Sequence, residues 1–431
     1  MSNNKDSKIT ARPTWLKRIW LTLLMVGPGF FCIGYTIGTG SVTSMAKAGS
    51  QYGMQLLWVL ALSCLFAWVL MEAYGRYAII TGETTIHSFK TKFIFGKFIA
   101  LVAMIGVIMG QWFCLSGLVG LSANAMYEGV RLFIPGLNPQ NYWAVLGIAI
   151  FILVIMYGFV LVGRYSFFEK ILVFFVSLLG LSFIVSMFIV IPSPKDFVTG
   201  LLPSIPKVPG ARLMVAAFVG TTMAAPTFVV RPLLLKGKGW TIKDIKKQSR
   251  DSLMAALLMF IISGSIMAAA TGALFHHGLT ITKVLDMVYT LEPVMGKFAV
   301  ALFLIGVISA GLSSVFPIII VAPLLIADYR KGKLETKSKL FRVLAAVACL
   351  MGLMVPILGA NPILAQIATQ VSQVFILPLV IAGILWLVNQ KTLMGEHKAG
   401  PVLNIGMITA LVFSCFISFT AVLALIELFG V

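Results

Sequence analysis

Long apolar runs are the feature that most restricts how this chain can fold. A helix that crosses a bilayer needs about 20 mostly apolar residues, and eleven stretches of that kind follow one another along the 431 residues. The loops between them leave no room for a soluble domain. The pattern predicts an all-α integral membrane protein with eleven transmembrane helices. Their approximate bounds are 20–46, 54–78, 97–127, 142–164, 168–192, 212–235, 252–275, 297–327, 340–359, 362–388 and 404–428.

The composition excludes the main classes of water-soluble protein. Apolar residues make up 59% of the chain and charged residues 11%, against about 45–50% and about 25% in soluble domains. So few charges cannot cover a water-facing surface, which excludes a soluble enzyme and a disordered chain. The sequence also lacks a Walker-A loop and the HExxH and GxSxG motifs, so we predict neither an enzyme nor a bound cofactor.

The net charge of +19 reflects membrane topology rather than nucleic-acid binding. If the amino terminus is cytoplasmic, the inner segments hold 25 Lys and Arg residues and the outer segments hold seven. Because cytoplasmic loops are enriched in these residues, we predict a cytoplasmic amino terminus, an external carboxyl terminus and a location in the plasma (inner) membrane. The expected partners are the lipid bilayer and a small solute or ion, without nucleic acid, and a monomer is compatible with the sequence.

Two of the predicted spans are interrupted by helix-breaking residues. The first contains five glycines and Pro28 within residues 27–40, and the sixth contains Thr221 and Thr222 followed by Pro226. Irregular backbone at membrane depth is tolerated only where it is buried in protein or lines a cavity. Broken helices five spans apart indicate a midplane site at the breaks, served by alternating access. The open alternative is that these are ordinary membrane helices that contain Gly and Pro.

This spacing predicts an arrangement of two five-helix repeats plus one extra helix, with helices 1 and 6 broken. Because five is an odd number, the second repeat is inverted in the bilayer relative to the first. The predicted segments are a cytoplasmic tail (1–19), a first repeat (20–192), an extracellular loop (193–211), a second repeat (212–388) and a final loop with the eleventh helix (389–431).

Several motifs resemble those of the Nramp family of divalent-metal transporters. GPGF and AGSQYG stand at the spacing found in that family, and the matches run from the first helix to the last loop. The resemblance implies the LeuT-type fold, which agrees with the interrupted helices. The motifs are GPGF (27–30), AGSQYG (48–53) followed by LLWV (56–59), RYAIITG (76–82), IGVISAGLSS (305–314) and LMGEH (393–397).

The residues that bind metal in the family are replaced in this chain. The resemblance places Gly38 and Ser41 at the Asp and Asn of the first-helix break, and Ala224–Thr227 at the Met-Pro-His of the sixth helix. Trp112 and Leu115 stand where the third helix carries the acidic residues of the proton route. A divalent cation needs anionic oxygen, imidazole or sulfur donors to replace its water. The usual metal site and proton route are therefore not expected.

The leading hypothesis is then a transporter of a small polar or anionic organic solute. A Gly-x-Gly followed by a helix amino terminus offers free amides to an anion, and hydroxyl and carboxamide side chains surround it. Two alternatives stay open: a Mn-, Fe- or Mg-type metal transporter that uses backbone carbonyls and glutamines, and a membrane sensor that binds without transport. The predicted binding residues are Tyr35, Gly38, Thr39, Gly40, Ser41, Thr222, Ala225, Thr227, Gln370 and Gln373.

Four further residues are candidates for a gate or for coupling. Arg231 follows Pro226 by five residues and could hold an anionic substrate, serve as a fixed internal cation, or form a salt bridge or extend to the cytoplasm. Glu72 and Arg76 have the spacing of an intrahelical ion pair, and Glu72 is alternatively an inner gate or proton acceptor. Trp112 is the fourth candidate, because the resemblance aligns it with an acidic residue of the family's proton route.

Overall fold

The structure, a computed structural model, describes residues 38–134, 136–138, 141–162, 166–291, 299–333 and 338–429. Every regular element in these ranges is helical, and the described residues contain no strand, as the apolar runs predict. The predicted site residue Tyr35, the side chain of Thr39 and the first half of the first helix lie outside the described part of the chain.

Eighteen helices make up the described fold, several of them joined by short 3₁₀ turns. The first half of the chain contains α1 (Thr39–Tyr52), α2 (Leu57–Thr81), α3 (Thr85–Lys92), α4 (Gly96–Phe133), α5 (Tyr142–Val162), α6 (Ser166–Ile189) and α7 (Pro194–Gly200). The second half contains α8 (Ala211–Thr222), α9 (Ala225–Val229), α10 (Arg231–Gly237), α11 (Ile245–Ala273), α12 (Ala299–Lys331), α13 (Lys339–Gly352), α14 (Met354–Leu358), α15 (Pro362–Val371), α16 (Leu377–Asn389), α17 (Lys391–Met394) and α18 (Pro401–Phe429).

Nine segments of the described residues are long and apolar enough to cross a bilayer. The pair α6 and α7, bent by 118° at its break, is a tenth candidate. The all-helical membrane architecture predicted from the sequence is confirmed. The exact count of eleven is not, because the first half of the first predicted helix lies outside the described residues.

The sixth span is broken where the sequence predicts it. α8 ends at Thr222 and α9 begins at Ala225. Pro226 stands in the first turn of α9, where its missing N–H costs no helical hydrogen bond. A second proline, Pro232, occupies the first turn of α10. All five residues of α9 are buried, as irregular backbone at membrane depth requires.

The tenth span, which the apolar pattern places at 362–388, is also interrupted, and that pattern does not predict this break. α15 ends at Val371, a 3₁₀ turn covers Val374–Ile376, and α16 begins at Leu377. The physical cause is Pro378, which lacks the N–H that would bond the carbonyl four residues earlier and whose ring crowds that turn. The apolar run over 362–388 is nevertheless present as a candidate membrane span, Pro362–Asn389, with this break inside it.

α1 and α11 approach each other so closely that only small residues fit between them. A Cβ at Gly49 would lie 2.4 Å from the Met267 carbonyl oxygen and 2.8 Å from the Ala270 side chain. The Thr271 hydroxyl donates to the same Met267 carbonyl at 2.8 Å. Small residues let membrane helices pack by van der Waals contact, since lipid provides no hydrophobic drive between them. This contact holds the helix that begins at the first break.

Replacing Gly49 by Ala is expected to lower thermal stability, because the added methyl group overlaps a backbone oxygen. Overpacking of this kind costs about 1–3 kcal/mol. The matched control is Gly264→Ala on α11, where the nearest atom to an added Cβ lies 3.9 Å away. Melting curves in detergent measure both variants. Equal melting temperatures would contradict the close approach of the two helices.

Candidate transport site

A small cavity lies where α1 begins and α8 ends. Gly38 precedes the first residue of α1, and Thr221 belongs to the last turn of α8. Residues of α4, of α12, of α15 and of the break that follows α15 complete the lining. The described residues that line the cavity are Gly38, Gly40, Cys114, Leu118, Thr221, Ala224, Ser314, Ile318, Gln370 and Gln373.

The cavity is narrow, and its described lining carries no charge. Its free volume is about 10 Å³, which is room for roughly one water molecule. None of these lining residues is an acid, a base or a histidine. The part of the chain that the structure describes also contains no group of three or more His, Cys, Asp or Glu residues that could hold a metal ion. The available polar groups are hydroxyls, one thiol, carboxamides and backbone.

The cavity lies between two helix ends that carry opposite partial charges. Gly38 precedes α1 without a side-chain cap, so the first amides of α1 carry partial positive charge. α8 ends at Thr222, and its last carbonyls carry partial negative charge. An anionic group is therefore stabilised on the α1 side and a cation on the α8 side.

Ser314 of α12 fills the space beside Gly38. A Cβ at Gly38 would lie 2.4 Å from the Ser314 hydroxyl oxygen, and that hydroxyl donates to the Ala310 carbonyl at 3.1 Å. Gly38 stands where the resemblance expects a metal-binding Asp. The position thus lacks both the carboxylate and the space that a carboxylate would need.

Carboxamide side chains supply polar groups from the tenth span. Gln373, at the α15–α16 break, accepts a hydrogen bond from Gln111 Nε2 of α4 at 2.5 Å. Gln370 is directed at α1, because a Cβ at Gly40 would lie 2.1 Å from its Nε2 atom. The Cys114 thiol is within hydrogen-bonding reach of Gln373 and Gln370. Gly40 therefore leaves the space in which the Gln370 carboxamide stands.

The structure brings only some of the predicted binding residues together. Ser41 does not line the cavity, because its hydroxyl lies 3.0 Å from the hydroxyl of Ser263 on α11. Thr222, Ala225 and Thr227 are buried within the broken sixth span without forming part of the described lining. The predicted residues that do line it are Gly38, Gly40, Gln370 and Gln373.

The cavity also contains residues that no sequence prediction selected. Cys114 and Leu118 come from α4, and Ser314 and Ile318 come from α12. The members of each pair are four residues apart and therefore share one helix face. Ser314 belongs to the IGVISAGLSS motif and is polar within an apolar helix, which is a signal that could identify it. The apolar members carry no such signal.

Glu72 and Arg76 form the predicted intrahelical ion pair, with 3.1 Å between Arg76 Nη2 and Glu72 Oε1. The Ser249 hydroxyl of α11 donates to the same oxygen at 2.7 Å, so the pair joins α2 to α11. The Trp112 indole N–H has no hydrogen-bond partner among the described residues. Glu72, Arg76 and Trp112 are not part of the described cavity lining, and a gate or coupling role for them stays a prediction.

Arg231 is completely buried and forms a salt bridge rather than facing the cavity. Its Nη2 atom donates to Asp251 Oδ2 at 2.8 Å and to the Ser252 hydroxyl at 3.0 Å, both on α11. Gln248 Nε2 donates to the same hydroxyl at 3.0 Å. The salt-bridge alternative matches this structure, and a role for Arg231 in holding a substrate stays a prediction. The partner Asp251 lies 20 residues away in sequence, and only the packing of α10 on α11 reveals it.

Structural comparison supports the fold. A mutant of the manganese transporter of Eremococcus coleocola has a TM-score of 0.71 at 14% identity, covering 98% of this chain and 91% of that chain. MhsT in complex with L-phenylalanine has a TM-score of 0.62 at 15% identity, covering 97% of this chain and 100% of that chain. At such low identity these likenesses show the fold alone, which is the LeuT-type fold of membrane transporters.

Sequence comparison identifies the family. The Nramp family model, described as natural resistance-associated macrophage protein-like, matches residues 29–424. The divalent metal cation transporter MntH of Verminephrobacter eiseniae is 24% identical over 424 residues, covering 95% of this chain and 91% of the relative. MntH of Mycobacterium leprae is 22% identical, covering 94% and 92%. The chain belongs to the Nramp family, and it is a membrane transporter rather than an enzyme.

Removing one member of the buried Arg231–Asp251 pair is expected to destabilise the protein more than removing both. A lone buried charge costs about 3–5 kcal/mol, whereas an apolar pair of similar size is often neutral. Arg231→Met should lower the melting temperature and the yield of folded protein. Combining it with Asp251→Leu should restore most of the loss. Size-exclusion chromatography and melting curves in detergent are the measurements, and a double variant no more stable than Arg231→Met would contradict this pairing.

Proposed function

We propose that this transporter carries a divalent metal cation by alternating access, using neutral oxygen ligands instead of a carboxylate site. The cavity between the ends of α1 and α8 carries the proposal, because it has room for a single ion and has the carbonyl end of α8 on one side. Hard divalent cations accept carbonyl and carboxamide oxygens as ligands. Gln370 and Gln373 are the carboxamide residues that line the cavity.

The prediction of an organic solute receives less support than the metal alternative. Relatives at 22–24% identity are named divalent metal cation transporters. In this conformation the cavity has space for about one water molecule, so an organic solute of several non-hydrogen atoms needs a wider conformation than an ion that has shed most of its water. The metal alternative therefore replaces the organic solute as the leading hypothesis.

The neutral lining restricts which cation is carried. Without a carboxylate, only dipoles compensate the double charge, so we expect weak binding of a cation that keeps part of its water shell. Cys114 contributes the one sulfur of the described lining. A thiol binds metal as a thiolate, and the described lining offers no base to take its proton. Oxygen donors then dominate, which favours Mg²⁺ and Mn²⁺ over the softer Zn²⁺.

The proposal includes a plasma-membrane location with a cytoplasmic amino terminus. The 25-to-7 distribution of Lys and Arg between the two sets of loops supports this orientation. α15 then runs from the extracellular side towards the cytoplasm, so its first residues are those nearest the outside.

One observation favours a second candidate, a small solute that bears a carboxylate. The amino end of α1 has no side-chain cap at Gly38, and uncapped helix amino ends stabilise anionic groups. Such a solute requires the helix ends to separate and enlarge the cavity. This candidate would be established if liposomes that contain the protein take up radiolabelled amino acids or carboxylates but take up no divalent metal cation.

Purified protein in liposomes is expected to take up Mn²⁺ and Mg²⁺ saturably, as reported by an internal metal-sensitive dye. Gln370→Leu should reduce uptake about tenfold or more, the effect of losing a hydrogen-bonding partner of a charged group. Gln55→Leu makes the same chemical change at an exposed position and serves as the control. Folded wild-type protein that admits neither cation above the level of protein-free liposomes would contradict the proposal.

Replacing Gly40 by Ala is expected to reduce the same uptake about tenfold or more while the fold is kept. The added methyl group meets the ends of flexible carboxamide side chains rather than backbone, so the carboxamides move out of position. Gly147→Ala in α5, where nothing lies within 4 Å of an added Cβ, is the matched control. Full uptake by a Gly40→Ala variant would show that the carboxamides beside Gly40 do not bind the cargo.

A further inference from the structure

Gln366 of α15 is a buried carboxamide whose polar atoms have no partner among the described residues. Its exposed fraction is 0%, and both its amide nitrogen and its amide oxygen lack a hydrogen bond there. Leaving a buried polar group unpaired costs about 1–3 kcal/mol, and native interiors rarely contain such groups. Two unpaired atoms on one buried side chain point to a ligand that pairs with them.

Two glycines on neighbouring helices make the space for this carboxamide. A Cβ at Gly40 of α1 would lie 2.9 Å from Gln366 Nε2. A Cβ at Gly117 of α4 would lie 2.7 Å from Gln366 Oε1. The carboxamide therefore stands between α1 and α4, in a position that a larger residue at either glycine would obstruct.

This position adjoins the central cavity. Gln370 is one helical turn further along α15, on the same face and about 5–6 Å away. A Cβ at Gly40 would lie within 2.9 Å of the amide nitrogens of both glutamines. Gln373 differs from them, because Gln111 donates to its carboxamide oxygen. Gln366 and Gln370 are thus two carboxamide side chains one helical turn apart on the same face of α15. Only Gln370 belongs to the described cavity lining.

We infer that Gln366 forms a second binding position for the transported cation, one helical turn from the cavity towards the start of α15. The inference rests on the proposed function, since it takes the cargo to be a partly hydrated divalent cation. Rotation of the Gln366 carboxamide by about 180° about its Cγ–Cδ bond exchanges the positions of the amide oxygen and the amide nitrogen. No hydrogen bond among the described residues fixes this rotation, so the oxygen can face the cation. The oxygen contacts the cation directly or through one of its waters. In the proposed orientation, a cation from outside meets Gln366 before Gln370.

Mn²⁺ uptake kinetics of the full-length protein in liposomes test whether Gln366 binds the cation, using two substitutions that are expected to change KM in opposite directions. Gln366→Leu removes both polar atoms at similar size and is expected to raise KM about tenfold or more. Gln366→Glu adds a negative charge and is expected to lower KM several-fold, with KM falling further as rising pH ionises the carboxyl group. Ile367→Leu, at the next buried position of α15, is the control and should keep the wild-type KM.

The outcomes separate this inference from the proposed function. Wild-type uptake with an unchanged KM in both Gln366 variants overturns the inference and leaves the proposed function standing. A lower maximal rate at constant KM shows a purely structural role for Gln366 and also overturns the inference. If Gln366→Leu aggregates on size-exclusion chromatography, Gln366→Glu alone tests the inference: a lower KM supports it, and an unchanged or higher KM overturns it. Wild-type protein without uptake overturns both.

Discussion

Backbone amides and carbonyls inside a membrane must find partners within the protein, and the interrupted helices of this chain meet that requirement together. α1 begins at Thr39, α8 ends at Thr222 and α15 ends at Val371, and residues next to all three ends line one cavity. A helix end exposed to hydrocarbon would leave up to four backbone groups unpaired. Gathering the ends in one buried place avoids that cost. It also concentrates free amides, free carbonyls and carboxamides where a transported ion can use them.

Arg231, Asp251 and Asp328 are buried charged residues that form ion pairs or hydrogen bonds away from the cavity. The described lining of the cavity is neutral. Arg231 and Asp251 bond each other between α10 and α11. Asp328, fully buried on α12, accepts hydrogen bonds from the Thr84 hydroxyl and from the Ile86 amide at 3.0 Å, and so holds the start of α3 against α12. These charges stabilise helix packing. Selection of a cation then depends on the geometry of dipoles and carboxamides rather than on a fixed negative charge.

Much of the fold could be predicted from the sequence, because apolar runs of membrane length and their Gly and Pro interruptions are local signals. The break before Ala225 follows from such a signal, whereas the break before Pro378 went unpredicted because one proline at the start of a half-helix is common in membrane spans. The site was harder to predict. Near a break, the direction of a side chain depends on local dihedral angles instead of helical periodicity, so Ser41 faces α11 and not the cavity. The Asp251 partner of Arg231 required knowledge of tertiary packing.

The central claim is that a divalent cation binds among neutral oxygens at the ends of α1 and α8. A crystal structure of the protein with Mn²⁺, with an anomalous difference map recorded at the manganese absorption edge, tests it most directly. A peak is expected inside the cavity, with the Gln370 carboxamide oxygen about 2.0–2.6 Å away, the range of oxygen distances to such cations. The absence of a peak there at saturating Mn²⁺, or a single peak at a carboxylate elsewhere, would contradict the claim.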